Sequence, residues 1–588
     1  MNIYKNRLLL LCLIFSLKVF SQTPTIYAKV DVDYFGNISI VDKIKNFNKK
    51  KDTLISTSRY LIHSKQATLI NSKKIGGSTY IQSKAKTKAL SYTINLKVNK
   101  NNSYLKSRDF FLFSSDYLAY NKKDIFKRKK FNIDINLPSK YKLIYPLPAD
   151  LKNKYYYSPP IIAGNFKQNM IKGFDVYNLT KHNGSQIKID SILDVLDDVY
   201  AFYLKKFPNK KSKPKIIFVP FKGEKLLGRT LEDVILLNSV MLRKTYKIQK
   251  RLLAHEMAHL WWGNNGIKFE NSSITEGIAE FMAIQYMKHK KESAYLETLM
   301  NQKYYHCEGI TDKSKVEKGI KNKPSFLYSY DFIPILLERI ELDNQNIYNL
   351  ISLFYKQNSS KCYVNIADLE VFLKANKSKT LIDSNLLPDY FITEDIDSVY
   401  INATTEIDQF VDVDFTDFSK ATKRITLRFS KVKYRYSYSK QLIKKITIDN
   451  DFKTIQLSRL NDVWVYNDVS LFTKNRYFIK EEINDTVIKY ATDVLNYIMD
   501  KDSDDFITNL CNVNIYFKSN LNIIKEKILS KEGFIPTGAS VYYRKNKNEI
   551  YLKVVYYSKS KNESKVFFMK LYLFENLNNL VNIKLSAL

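Results

Sequence analysis

Two imidazoles with a carboxylate between them, His255-Glu256-Met257-Ala258-His259, lie in an apolar run with helical spacing. At 3.6 residues per turn the two histidines project from one face and can hold one metal ion. Glu256 points about 100° away, towards where a water on that ion would sit. This is the pattern of a zinc-hydrolase helix. The chain has six histidines, and the other four, His63, His182, His289 and His306, stand alone and read as surface or loop residues. HExxH also arises by chance in long helical proteins, so its surroundings must decide.

A catalytic zinc takes three protein ligands and leaves a fourth position for water. Glu276 is the best-placed third ligand. It opens a second amphipathic segment in which Ile274, Ile278, Phe281, Met282 and Gln285 keep a helical register, and Gly277 and Ala279 are small enough for close helix packing. Another role for the same residue is structural, because Ser273 to Glu276 also reads as a capping box with Ser273 at the N-cap and Glu276 at N3. Glu280, one turn on, is the rival ligand; otherwise it stands behind the ligands, orienting one of them or binding a substrate amine.

Ala254-His255-Glu256-Met257-Ala258-His259-Leu260-Trp261-Trp262-Gly263-Asn264, followed by Thr275-Glu276-Gly277-Ile278-Ala279-Glu280-Phe281, resembles the gluzincin metallopeptidases of the aminopeptidase N and leukotriene hydrolase family. Those enzymes carry HExxHxW(W/F)GN and then N-E-G-x-A. Here Thr275 stands in place of the Asn, and the spacer between the blocks is slightly shorter, as a trimmed loop would give. The resemblance implies His255, His259 and Glu276 as zinc ligands and Glu256 as general base on the zinc-bound water. Zinc lowers the pKa of that water to about 7 and polarises the scissile carbonyl.

The resemblance also implies a tyrosine, in a Y-x-K-G segment after the glutamate ligand, that stabilises the tetrahedral oxyanion. Tyr328, in Leu327-Tyr328-Ser329-Tyr330-Asp331-Phe332, stands in that window with Tyr330 as the alternative; the Lys and Gly are missing. A further family feature is a G-x-M-E-N strand whose Glu binds the substrate's free amino terminus. The corresponding stretch is 228–237, where Gly228 and Glu232 fit and the Met and Asn are absent, so Glu232 is either the amine site or an ordinary strand residue. Metallopeptidase is therefore better supported than aminopeptidase.

The elements that must hold these groups are legible around them. Asp190 can cap a helix with Ile192, Val195, Leu196, Val199, Tyr203 and Leu204 on one face; a β-branched strand, 216–219, and a strand over 228–238 then lead to the zinc helix. These elements agree with the thermolysin-like α/β catalytic domain that the resemblance implies, expected over 186–395. Period-two alternation upstream, as at Phe131, Ile133, Ile135 and Leu137, predicts an N-terminal β-domain over 22–185. Alternation at Ile425, Leu427 and Phe429 and at Val463, Trp464 and Val465 predicts another β-domain over 396–480. A helix after Asp485 carrying Val487, Ile488, Ala491, Leu495 and Ile498, with strands near 550–557 and 566–573, predicts a small α+β accessory domain over 481–588. The expected fold class is multidomain α+β, and 588 residues suit three to four domains.

Lys5 and Arg7 before the apolar run 8–20 read as a secretory signal peptide, residues 1–21, and Leu10-Leu11 before Cys12 lack the small residue that lipoprotein processing prefers. The run is too short for a good membrane span, and no later stretch approaches about 20 apolar residues. The expected location is secreted or periplasmic. Cys307, Cys362 and Cys511 then remain, which allows at most one disulfide, such as Cys307 with Cys362, or three free thiols. The formal net charge of +35 is mostly scattered lysine without a nucleic-acid-binding signature, so no nucleic-acid partner is expected. The basic run 122–130 reads as a solvated loop with at most weak association with an anionic membrane surface. No oligomeric state follows from the sequence. The functional expectation is a zinc-dependent, aminopeptidase-like enzyme acting on peptides in the cell envelope or outside the cell. The alternatives are a zinc endopeptidase, or a catalytically weak, peptidase-derived peptide-binding or scaffold protein.

Overall fold

A computed structural model of the chain describes the strands between 25 and 121, most of 130–466 with a longest break at 308–325, residue 494, and the strands between 534 and 586. It divides into two compact units, residues 1–270 with 352–364, and residues 271–351 with 365–588. Mixed α and β structure over several separate sheets builds both.

In the first unit, the alternation at Phe131 becomes the strand Lys130–Asn136, with Phe131 buried, Ile133 and Ile135 half-buried, and Asn132, Asp134 and Asn136 exposed. It pairs in parallel with Thr25–Val32 inside a five-stranded sheet. A second five-stranded sheet carries the site. Across it run Phe166–Ile171, Phe174–Leu179, Lys215–Val219, Val234–Asn238 and Gly228–Leu231. The three inner strands are mutually parallel and the two outer ones antiparallel to their neighbours. Ile216 to Val219 and Val234 to Asn238 are buried throughout, as parallel strands covered on both faces must be. Two of the five strands, those at 166–171 and 174–179, precede residue 186.

The expected single strand over 228–238 is a hairpin instead. Its two-residue turn is Glu232-Asp233, and Glu232 takes a left-handed φ of 54°. Gly228–Leu231 thereby becomes the outermost strand of the sheet, beside the motif helix Tyr246–Ala258. The helix expected to begin at Asp190 runs over Gln186–Lys206, because buried Ile189 extends its apolar stripe a turn earlier; Asp190 lies within it and is not its cap. Ile192, Val195, Leu196, Val199 and Tyr203 form the buried face, and the Tyr203 hydroxyl donates to the Ala254 carbonyl at 3.0 Å. Trp261 packs edge-on against Tyr203 and Trp262 against Tyr355, with centroids 5.6 and 5.5 Å apart. These wholly buried rings fix the end of the motif helix.

The second unit begins with the helices Ser272–His289 and Ser293–Cys307, a π-helical turn Leu327–Phe332, and the helix Ile333–Ile340. Ile366–Ala375 closes this part, with an Asn365/Asp368 capping box. A β-region follows in which Thr422–Phe429 and Val463–Val465 share a four-stranded sheet and Leu427, Phe429 and Trp464 enter one core. The chain's last described strands, Phe534–Arg544, Glu549–Ser558, Glu563–Leu573 and Leu580–Ser586, form an antiparallel sheet. Of the helix expected after Asp485, only Val494 is among the described residues, helical and buried. The signal segment 1–21, residues 122–129, Cys362 and Cys511 lie outside them. Cys307 is buried. Among the described residues, no helix is long and apolar enough to cross a membrane.

Candidate metal centre and active site

The second half of the motif helix, Leu253 to Ala258, is buried, and His255 and His259 leave it on one face with their Nε2 atoms 3.2 Å apart. His259 Nδ1 lies 2.8 Å from the Trp262 carbonyl oxygen. A carbonyl only accepts, so Nδ1 carries a proton, and in a neutral ring that leaves the Nε2 lone pair towards His255. Two imidazole nitrogens that close need a proton or a cation between them. The Trp262 carbonyl is aimed by the chain reversal after the helix, in which Gly263 N–H donates to Ile267 O at 2.9 Å and Ile267 N–H donates to Trp261 O at 2.8 Å. A Cβ on Gly263 would stand 2.6 Å from His259 O, and one on Gly266 would stand 1.8 Å from Trp261 O. The glycine after the tryptophans is thus a steric requirement of the turn that orients a histidine.

Ligand atoms of His255, His259 and Glu276 lie within 4.8 Å of one another, with His255 buried and the other two half-buried. Two imidazole nitrogens and one carboxylate oxygen are a donor set suited to a catalytic zinc, so the residues fit the metal that the motif calls for. The capping-box alternative for Glu276 does not hold. Asn271 is the N-cap of the helix Ser272–His289, its side chain accepting from Ser273 N–H at 2.8 Å, which places Glu276 beyond N3. The Glu276 carboxylate instead accepts from the Tyr330 hydroxyl, Oη to Oε2 2.8 Å.

Glu256 is held by the outermost strand. Thr230 Oγ1 lies 2.7 Å from the Glu256 carbonyl oxygen and 2.8 Å from its Oε2. A Cβ on Gly228 would meet Glu256 Cγ at 3.0 Å and Oε1 at 3.1 Å, so the bare backbone at Gly228 makes room for the carboxylate. Thr230 escaped the sequence reading. Its only signal was its place two residues after Gly228, on the same strand face. Glu232 is 7% exposed and lies in the hairpin turn. Counted from Gly228, the Glu place of G-x-M-E-N is held by Leu231, and Glu232 follows one residue later, where the strand has already ended.

Of the two candidate tyrosines, Tyr330 is the one whose hydroxyl reaches Glu276. The Tyr328 ring packs edge-on against Phe332, centroids 5.7 Å apart. Residues two apart on a helical turn face roughly opposite sides, so only one of the pair can point at the ligand. Glu280 is 1% exposed and accepts from Lys303 Nζ at 2.8 Å. Gly277 lets the glutamate helix and the π-turn approach, since a Cβ there would lie 2.5 Å from Ile333 Cγ2 and 3.2 Å from Ser329 O.

No protein-family model and no curated protein matches the sequence. The fold is similar to that of a solved structure of Legionella pneumophila aminopeptidase A in complex with aspartic acid, with a TM-score of 0.50 and 12% identity. The match covers 87% of this chain and 66% of that one, so the chain spans just under two thirds of the length of the protein it resembles.

Proposed function

We propose that the protein is a zinc-dependent peptidase in which His255, His259 and Glu276 hold the metal. The observation that carries this reading is the convergence of those three donors beside a glutamate whose position is fixed by Gly228 and Thr230. Bound zinc would supply a Lewis acid for the scissile carbonyl and lower the pKa of a water. Glu256 takes the proton from the attacking water and returns it to the leaving amine. Tyr330, in preference to Tyr328, turns its hydroxyl hydrogen from Glu276 to the oxyanion that forms on the carbonyl oxygen. The fold likeness to an aminopeptidase agrees with peptide hydrolysis, and the apolar N-terminal run supports action in the cell envelope or outside the cell.

A second reading concerns where the chain cuts. Glu232 and Glu280, the two carboxylates suited by sequence to a substrate amine, are both buried. That favours an endopeptidase without amino-terminal specificity. The test is the zinc content of the mature protein together with cleavage of a mixed peptide library, alongside Glu256→Gln. One zinc per chain, with cleavage lost in the variant, is the expected result. Zinc without cleavage would replace the enzyme by a peptide-binding protein, and no zinc would remove the site. Amino-terminally blocked peptides separate the two specificities, because an aminopeptidase leaves them intact.

A further inference from the structure

We propose that Lys303 is a positioning residue for the metal ligand Glu276, acting through Tyr330; this rests on the zinc-peptidase reading. Lys303 comes from the neighbouring helix Ser293–Cys307 and is 3% exposed. Its ammonium donates to Glu280 Oε1 at 2.8 Å and to the backbone carbonyl of Tyr330, and it lies 3.7 Å from Asp331 Oδ1. His306, one turn further along the same helix, places Nδ1 3.0 Å from Asp331 Oδ2.

A lysine is rarely buried to this extent unless paired, and a pair this deep contributes little net stability over an apolar replacement. Its contribution here is geometric. In a π-turn the hydrogen bonds skip five residues, and the Ile333 N–H bonds to Tyr328 O, so the carbonyls of the turn are not all used as in an α-helix. Lys303 holds the Tyr330 carbonyl on one side of the turn while the Tyr330 hydroxyl holds Glu276 Oε2 on the other. Glu280 lies one turn after Glu276 on the same helix, so the ion pair ties that helix to the turn from behind. The metal ligand, the tyrosine and the buried cation form one chain of contacts, and partners behind a ligand set its orientation.

The test is a double-mutant cycle on zinc affinity, read by chelator competition without substrate. Tyr330→Phe and Lys303→Met should each weaken zinc binding about ten-fold, and the two together no more than either alone. In zinc-saturated enzyme, Lys303→Met should lower kcat and leave KM within about two-fold. A lysine that merely stabilises the fold would give losses that add, or unchanged affinity in a folded variant, and either result overturns the proposal. Because Lys303→Met strands Glu280, Lys303→Met/Glu280→Gln is made in parallel; if neither folds, Glu280→Gln takes the place of Lys303→Met in the cycle, with the same non-additivity expected and additive losses refuting it. Wild-type protein without zinc would instead overturn the site itself, which is a different failure.

Discussion

Gly277→Ala separates two opposing effects whose sizes can be compared. In an exposed helix the change gains about 1 kcal/mol of helix propensity. Gly277 is buried, and its added Cβ would stand 2.5 Å from Ile333 Cγ2 and 2.6 Å from Ile333 Cβ, where ordinary contact begins at 3.4 Å. Ile333 is itself wholly buried, so it cannot swing aside, and relief requires the helix and the π-turn to separate by about 1 Å. Overpacking of this kind costs about 1–3 kcal/mol. The same movement stretches the 2.8 Å bond from Tyr330 to Glu276 to about 3.8 Å, which is no longer a hydrogen bond. Losing a bond to a charged acceptor adds about 1.5 kcal/mol, so the clash and the lost bond together exceed the propensity gain by about 1.5–3.5 kcal/mol. The variant should melt at a lower temperature, and its zinc affinity, measured against a chelator, should fall about ten-fold. A higher melting temperature with unchanged zinc affinity would show that the helix and turn are not in close contact and that Glu276 does not depend on Tyr330.

Three further outcomes follow from the same geometry. Tyr330→Phe should lower kcat about 100-fold while Tyr328→Phe changes it less than about two-fold, in steady-state kinetics on one cleaved peptide; the reverse order would return the oxyanion role to Tyr328. Gly228→Ala should displace Glu256 by a few tenths of an ångström and reduce kcat about ten-fold with zinc content intact, and full activity would show that the outer strand does not set the base. Burial pushes the Glu338 carboxyl above its ordinary value, although Lys288 and Gln285 both hydrogen-bond to it and pull the other way. A carboxyl raised in the folded state contributes stability below its unfolded pKa of 4.5 and loses it as pH rises through the folded value. Glu338→Gln should therefore improve relative to wild type as the pH rises above 4.5 in urea titrations, and a difference that stays constant with pH would contradict the shift.

What the sequence disclosed depended on how local each requirement is. His255, Glu256 and His259 fall on one helix, and their relation is fixed by helical period alone. The strand at Phe131 and the stripe from Ile192 to Tyr203 are legible for the same reason: each repeats within one element. Glu276 was legible as a candidate, but its capping alternative could be removed only by seeing Asn271 take the N-cap. The hairpin at Glu232-Asp233 was missed because a left-handed φ on Glu leaves no mark that a glycine or asparagine would. Thr230, Lys303 and the choice of Tyr330 over Tyr328 each depend on contacts across 23 to 54 positions of sequence, which no periodicity encodes.

The same distant contacts bear on the specificity of the proposed peptidase. A peptidase that works from the amino terminus must offer a carboxylate open to an incoming ammonium group, and must leave it unneutralised until the substrate arrives. Glu280 fails on both counts, being 1% exposed and already bonded to the ammonium of Lys303. Glu232 is 7% exposed and sits in the hairpin turn with a left-handed φ of 54°. Leu231, at the place where G-x-M-E-N carries its acidic group, is buried and apolar. Among the described residues, the three positions considered for a substrate amine hold a carboxylate paired with Lys303, a buried turn residue and a leucine. Internal cleavage by the proposed mechanism requires none of them, only the roles proposed for Glu256, His255, His259, Glu276 and Tyr330. Under the proposed zinc-peptidase reading, none of these described positions presents an open carboxylate, which favours internal cleavage.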